Sequence, residues 1–516
     1  MTAKARFSAL EQDRNPYLDR GRQCAKLTIP ALLPESGANG STSFTTPEQS
    51  IGARGVNNVS AKLLMALFPP NAPYFKMDVD DLTAQEMTGQ EGVKDEIDRA
   101  FAAFVRRVMS DFEGRALRAD LYEVFRLLVT TGNATLYCPE DGRCRVYRLD
   151  KYVCKRDPAG NLLEWIAKET IAKAALPEEV RNSVPDTNAP QTGEAGAAQP
   201  ASEVVELYTH IYLNEEGQYA IYQEVADTVI PGSGGAYLPD ELPFLVLRYN
   251  KVDGEDYGRG LIEEYLGDLA HLEVLSKAIR EFVAISARVI PLLNPNGILT
   301  AKDLTEAENG EPVVGNKEDV SFLQIERYND FRVAKEMIDE LSNRLSFAFL
   351  MNTAIQRPGE RVTAEEIRFM ARELEDTLGG TYSVQSVDLQ LPLARVQIKG
   401  LERKGALPEL PKEIATPKVV TGMDALGRGN DLTNLNQWRQ MIAGTPAEQR
   451  VDWDGFATRT ANALNVETEG LLLSDEDFQA QQQQQMQMQM MSQLGPNAIN
   501  QMGGMAQKMM EQPPNG

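Results

Sequence analysis

Few residues of this chain belong to the types that perform catalysis. The chain contains two histidines, His210 and His271, and four cysteines, Cys24, Cys138, Cys144 and Cys154. Neither histidine is accompanied by a serine or cysteine motif, and the cysteine spacing fits neither a zinc site nor a dense disulfide framework. We therefore expect structural histidines and free thiols in a reducing compartment.

Two carboxylate clusters, Asp78-Asp80-Asp81 and Asp475-Glu476-Asp477, could in principle bind a divalent metal, because hard cations take oxygen ligands. Solvated acidic loops are much commoner, so we expect no metal and no cofactor. The motifs GxxxxGK[ST], GxGxxG after a strand, HExxH and GxSxG do not occur. The sequence therefore predicts that the protein is not an enzyme.

One short stretch gathers cations in a chain that has few of them. It contains Gln356, Arg357, Arg361, Arg368 and Arg372. Salt bridges to the neighbouring glutamates at 360, 365 and 366 are the structural interpretation of these arginines. The functional interpretation is a small basic rim that faces a phosphate backbone.

The overall charge argues against nucleic acid as a tightly bound partner. The chain has 516 residues, and its 52 Lys and Arg against 75 Asp and Glu give a net charge of −23. Such a protein repels phosphates unless its cations are concentrated locally. The length corresponds to about three domains. The N-terminus resembles no signal peptide, and no run of about 18 apolar residues occurs, so we expect a soluble protein made in a cytoplasm.

The first half of the chain reads as an α+β body. Apolar residues recur at helical spacing over 56–68 and 91–130, and the segments 133–171, 204–213, 219–225 and 244–250 have strand composition. Between them, residues 185–200 contain no apolar side chain larger than alanine, which predicts a flexible surface loop.

The second half is dominated by long helices. Residues 261–290 predict one helix of about 45 Å. Asp330 is the expected N-cap of a second helix over 331–351, antiparallel to the first, and 291–330 form the tip between them. A capping box at Thr363 opens a third helix that runs to about 404, with a kink at Gly379-Gly380. Residues 408–470 read as a small helical region, and 479–516 as a Gln/Met-rich flexible tail.

Five segments in this order resemble the portal, or head-to-tail connector, proteins of short-tailed double-stranded DNA phages. They are DRNPYLDRGRQCAKLTIPALLP, IGARGVNNVSAKLLMALFPP, HIYLNEEGQYAIYQEV, DGEDYGRGLIEEYLGDLAHLE and RVTAEEIRFMARELEDTLGGTYS. The resemblance covers about residues 10 to 475 and leaves out only the 185–200 loop and the tail. It implies the α+β portal fold and a ring of twelve subunits at one capsid vertex, with DNA passing through the axial channel.

The resemblance also assigns roles to the predicted elements. It implies a wing over 1–260, a stem of two helices over 261–290 and 331–351, a clip over 291–330, a tunnel loop over 352–362, a long kinked wing helix over 363–404 and a helical crown over 405–478. Arg357, Arg361 and Arg368 would then contact DNA in the channel without reading bases. Twelve copies would carry about 276 negative charges (12 × 23), which would keep DNA from adhering elsewhere.

The partners implied by the family are the terminase, the major capsid and scaffolding proteins and the tail adaptor proteins, with no membrane. The expected location is the portal vertex of the virion, after assembly in the cytoplasm of a bacterial host. Two alternatives remain open at this point. An internal scaffold or core protein of the phage head would also be acidic and helical, and a carboxylate-metal nuclease would need three converging acidic residues.

Overall fold

The computed structural model describes residues 2–70, 73–79, 93–183, 204–286, 291–322, 328–351, 384–408, 415–419 and 437–446, and a few single residues between 448 and 460. The chain divides into one unit over Met1–Leu426 and a second over Gly427–Gly516. In the second unit the described part includes a short helix at 437–442.

Helices and strands occur largely in separate runs in the first unit, as the α+β prediction requires. The helices are α1 Ala3–Lys26, α2 Ile51–Leu67, α3 Val93–Gly114, α4 Leu117–Thr131, α5 Glu178–Ser183, α6 Leu261–Glu264, α7 Leu266–Ser286, α8 Ala301–Glu306, α9 Tyr328–Ala348 and α10 Leu391–Arg403. The strands are β1 Phe75–Val79, β2 Asn133–Tyr137, β3 Arg145–Tyr147, β4 Tyr152–Arg156, β5 Leu162–Ala172, β6 Val204–Leu213, β7 Tyr219–Val225, β8 Thr228–Val229, β9 Gly235–Tyr237, β10 Phe244–Arg248, β11 Pro291–Leu293, β12 Val320–Phe322 and β13 Ala415–Val419. A mixed helix and sheet protein is therefore confirmed.

The largest sheet is an antiparallel meander in the order β4-β5-β6-β7-β8, with β9 paired to β7. A second sheet has the order β10-β2-β3. Trp165 of β5 lies between them, because its indole nitrogen donates to Thr135 of β2 at 3.1 Å and its ring packs on Phe244 of β10. Helix α1, which the sequence analysis did not predict, covers the large sheet with Phe7 and Leu10.

The Asn133 side chain and two glycines join the second sheet to the start of the helical half. Asn133 accepts from the Gly258 amide and donates to the Gly258 carbonyl, each at 2.8 Å. A Cβ at Gly260 would lie 2.9 Å from backbone atoms of residues 129–132, so a side chain does not fit there. The glycines at 258 and 260 thus allow the chain to leave the sheet and enter α6 at close range.

Three predictions for the helical half need correction. The helix predicted over 261–290 is interrupted at Tyr265, where the backbone leaves helical geometry between α6 and α7. Helix α9 begins at Tyr328, so Asp330 lies in its first turn instead of at its N-cap. Residues 415–419 form a strand where a helical region was predicted, because they pair with β1 from Phe75↔Val419 to Val79↔Ala415.

The end of the third predicted helix agrees with the sequence analysis. Helix α10 ends at Arg403, and Gly405 adopts the left-handed conformation that closes it. Upstream, residues 386–390 form a π-helical turn directly before Pro392. Proline cannot supply the α-helical hydrogen bond at that position, and the wider turn accommodates it. The capping box at Thr363 and the kink at Gly379-Gly380 lie outside the described residues, as do the 185–200 loop and the Gln/Met-rich tail.

Candidate nucleic-acid interface

The arginines predicted to contact DNA follow helix α9 directly in sequence. Arg357, Arg361 and Arg368 lie outside the described residues, so the structure does not test their positions. It does describe the point from which their segment leaves the body, namely the C-terminal end of α9 and the elements packed against it.

Helix α9 ends in a Schellman arrangement. The Met351 amide donates to the Ser346 carbonyl at 2.8 Å, and the Leu350 amide donates to the Phe347 carbonyl at 3.0 Å. Leu350 occupies the left-handed position with φ +57°, where glycine is usual. A left-handed leucine costs about 1 to 2 kcal/mol, so the surrounding contacts must hold it there.

Helix α2 supplies those contacts through two side chains one turn apart. The amide of Asn58 donates to the carbonyl oxygens of Phe349 and Leu350, at 2.8 and 3.0 Å. The ammonium of Lys62 donates to the Leu350 carbonyl at 2.9 Å and is buried. A cation and an amide thus meet the negative end of the α9 dipole. We call Asn58, Lys62 and the carbonyls that they bind the α9 clamp.

Aromatic packing completes the α9 clamp. The Phe349 ring is fully buried and lies against Gly55 of α2, where a Cβ would come within 2.3 Å of a ring atom. Tyr265, at the break between α6 and α7, packs edge-on against Phe349 with ring centroids 5.6 Å apart. Thus α2, the start of α7 and the end of α9 meet at one ring. No sequence motif predicts this site. The one sequence feature that could have indicated it is Lys62, a charged residue within a mostly apolar stretch of α2.

Helices α7 and α9 pack as a pair, most closely near this end. Leu269 and Leu272 of α7 are buried, as are Leu341 and Leu345 of α9. The pair is also linked by Arg344 and Asp268, whose side chains lie 3.4 Å apart. Farther along, Leu275, Ile279 and Ile338 are half-buried, and other apolar residues of the two helices are exposed, namely Val274, Val283, Ile285, Val333 and Met337. This half of the pair is an apolar surface that the described residues leave uncovered.

The histidines show no catalytic arrangement. His210 of β6 lies between Tyr222 and Glu164, each at 2.8 Å, and Glu164 is also bound by Arg6 of α1. Burial alone would raise the pKa of Glu164, but the hydrogen bonds from His210 and Arg6 outweigh it and lower that pKa to about 2. This network joins α1 to the large sheet. His271 lies on the exposed side of α7, so the two histidines occupy different elements.

The predicted carboxylate clusters are only partly described. Asp78 lies on β1, whereas Asp80 and Asp81 and the cluster at 475–477 lie outside the described residues. In the part of the chain that the structure describes, no group of three or more His, Cys, Asp or Glu side chains could hold a metal ion. Within the same residues, no helix is both long and apolar enough to cross a membrane.

Comparison with known proteins gives a consistent result. A family model described as "Bacteriophage head to tail connecting protein" matches residues 1–472. The portal protein of Enterobacteria phage T3 is 43% identical over 487 residues, which cover 93% of this chain and 89% of that protein. The portal protein of Escherichia phage T7 is 42% identical, covering 92% and 89%. That of Pseudomonas phage phiKMV is 32% identical, covering 90% of each chain.

Among solved structures, a chain from the neck of an empty GTA particle computed with C6 symmetry is similar over 77% of this chain and 87% of its own length. It is 12% identical, with a TM-score of 0.37.

Proposed function

Because the chain belongs to the family of bacteriophage head to tail connecting proteins, we propose that it assembles into a ring whose axial channel conducts the phage genome into and out of the head. The resemblance to portal proteins drawn from the sequence is thereby confirmed, and family membership favours the connector over an internal scaffold or a nuclease. The protein belongs to the virion, and we place it at the portal vertex after assembly in the host cytoplasm.

The observation that carries the ring is the uncovered apolar surface of α7 and α9. Val274 is 66% exposed, Val283 57% and Val333 60%. Burying apolar surface contributes about 25 cal/mol per Å². Side-by-side packing of many copies would bury the exposed apolar side chains of this helix pair and so stabilise the assembly. A closed ring covers both flanks of every copy with the same contact. We propose twelve subunits.

In this ring, α7 and α9 form the stem over 261–290 and 331–351, and 291–330 form the clip. Strands β11 and β12 pair antiparallel, from Pro291↔Phe322 to Leu293↔Val320, which supports a compact clip projecting beyond the stem. The wing is assigned to 1–260 and the helix of 363–404, the tunnel loop to 352–362 and the crown to 405–478. We propose that tail adaptor proteins bind the clip, and that capsid and scaffolding proteins bind the outer surface.

DNA passes through the channel without sequence-specific contacts. We assign the few phosphate contacts to Arg357, Arg361 and Arg368, which follow the α9 clamp in the chain. Phosphate contacts position a duplex and carry no base readout. The net charge of −23 per subunit keeps the rest of the wall repulsive. Because the sequence has no P-loop, the ATP-driven step is assigned to the terminase, which docks on the ring during packaging.

Electron microscopy of the purified full-length chain tests the ring. We expect closed particles with an axial hole, and a monomer would contradict the proposal. Val283→Asp on the exposed face of α7 should abolish the rings, because an unpaired charge would be buried between subunits. Val229→Asp on β8 is the matched control, since Val229 is similarly exposed at 52% and lies outside the stem. Rings that survive Val283→Asp would exclude this surface as the subunit contact.

A further inference from the structure

We propose that Cys138 and Cys144 form a redox site that closes to an intramolecular disulfide on reaction with a small-molecule disulfide. Cys138 follows the last residue of β2 and Cys144 precedes the first residue of β3. The two strands pair antiparallel, with Thr135 opposite Tyr147 and Tyr137 opposite Arg145. Continuing that register by one residue places the two cysteines directly opposite each other, and their Sγ atoms lie 2.8 Å apart.

The backbone geometry suits a cross-strand disulfide. The Cys138 amide donates to the Pro243 carbonyl at 2.9 Å, on the side of β10. Since the amide and carbonyl of a strand residue point to the same side, Cys138 and Cys144 form a non-hydrogen-bonded pair. Cα atoms in such pairs lie about 4.5 Å apart, which falls within the range of about 4.4 to 6.8 Å that disulfides span. The bond can therefore form without moving either strand.

The turn between the two cysteines is held in place by neighbouring helices. Arg115 donates to the carbonyls of Pro139 and Gly142, at 2.6 and 2.9 Å. From the end of α10, Arg403 binds Glu140 at 2.6 Å and Lys404 binds Asp141 at 2.8 Å. These contacts keep the two thiols facing each other in the folded protein, so the pairing is a property of the fold and not of the short sequence separation alone.

The reaction is a pair of thiol-disulfide exchanges. Cys144 is 8% exposed and Cys138 2%, so the sulfur of Cys144, as thiolate, attacks the small disulfide first. One small thiol leaves and a mixed disulfide remains on Cys144. The sulfur of Cys138 then attacks Cys144 Sγ, the Cys138–Cys144 bond forms, and the second small thiol leaves. The two protein thiols are oxidised, the small disulfide is reduced to two thiols, and the two protons pass to them.

The order of attack follows from the surroundings of Cys138. Burial raises the pKa of the Cys138 thiol well above its ordinary value, and the contact with Cys144 adds to this effect. Cys138 therefore rarely presents a free thiolate to solvent, but it is in contact with the sulfur that it must attack in the second step. In a cytoplasm rich in thiols, the thiol pool keeps the pair reduced.

The other two cysteines serve as internal controls. Cys24 is buried on α1 and Cys154 on β4, where the Cys154 thiol faces the Asp256 carbonyl at 3.7 Å. Burial raises the pKa of Cys24 to about 12 and that of Cys154 to about 11. They are expected to remain thiols under conditions that close the Cys138–Cys144 pair.

The test treats purified, reduced full-length protein with oxidised glutathione, unfolds it at low pH and alkylates the remaining thiols. Mass spectrometry should count two alkylated cysteines of the four, and cleavage at Arg143 should yield the peptides of Cys138 and Cys144 joined. Cys24→Ser should keep the bond. Cys138→Ser should instead retain a glutathione adduct on Cys144. Four free thiols in the treated wild type, or a bond involving Cys24 or Cys154, would overturn the proposal even if a variant fails to fold.

Discussion

The ammonium of Lys62 on α2 lies 2.9 Å from the carbonyl oxygen of Leu350, a residue held at φ +57° beyond the end of α9. This contact holds the backbone at the C-terminal end of α9, the last described point before the segment that carries Arg357 and Arg361. The conformation of this end therefore depends on α2, almost 300 residues earlier in the chain.

Removing the Asn58 side-chain amide should loosen the α9 clamp. Asn58→Leu deletes two hydrogen bonds to buried carbonyls, and we expect the free energy of unfolding to fall by about 1 to 3 kcal/mol. Denaturant unfolding of the purified protein measures the change. Asn57→Leu is the control, because Asn57 is exposed on the same helix and has one contact of 3.4 Å, from Tyr122. An equal decrease in the free energy of unfolding in both variants would mean that the α9 clamp does not contribute to stability.

Gly55→Ala tests the packing of α2 against α9. The added Cβ would lie 2.3 Å from the Phe349 ring, so one of the two helices must shift. Overpacking of this kind costs about 1 to 3 kcal/mol. Gly400→Ala on α10 is the opposite control, because no atom lies within 4 Å of the new Cβ and a helical alanine is favoured by about 1 kcal/mol. The midpoint temperature of thermal unfolding should fall in Gly55→Ala and rise in Gly400→Ala. A Gly55→Ala protein as stable as the wild type would contradict the close packing of α2 against Phe349.

Arg357→Ala combined with Arg361→Ala tests the channel contact. Electron microscopy should show intact rings, whereas the DNA content per particle should fall, because each lost cation removes a phosphate contact. Arg143→Ala with Arg145→Ala is the control, because it removes the same charge from two exposed arginines outside this segment. Normal DNA content in the first double variant would refute the role of these arginines.

Glu164 should make stability depend on acid pH. In the folded protein, where Arg6 and His210 bind it, its pKa is about 2, against an ordinary value of 4.5. The unfolded chain therefore binds the proton more readily, so the stabilisation is complete above pH 4.5 and is lost as the pH falls toward 2. In Glu164→Gln, the midpoint of urea unfolding should depend less on pH between 4.5 and 2 than in the wild type. Glu216→Gln in the exposed β6–β7 turn is the control and should show the same change of urea midpoint with pH as the wild type. If Glu164→Gln shows that same change, Glu164 is not the source of the acid sensitivity.

The sequence by itself determined much of the secondary structure and the family. The β6–β7 hairpin, the end of α10 before Gly405 and the change from strands to helices at Tyr257–Gly260 all follow local rules of periodicity and turn chemistry. The order of unusual segments identified the connector family. These features lie within short stretches of chain, and the sequence therefore carries them directly.

Tertiary contacts determined the features that local sequence patterns did not predict. Residues 415–419 form a strand because they pair with β1, which lies more than 330 residues earlier in the chain. No local sequence pattern encodes that pairing. The break at Tyr265 places an aromatic ring against Phe349, and the left-handed Leu350 persists because Asn58 and Lys62 bind its neighbourhood. Long-range hydrogen bonds and packing can outweigh local propensity by a few kcal/mol, and only the folded chain brings those partners together.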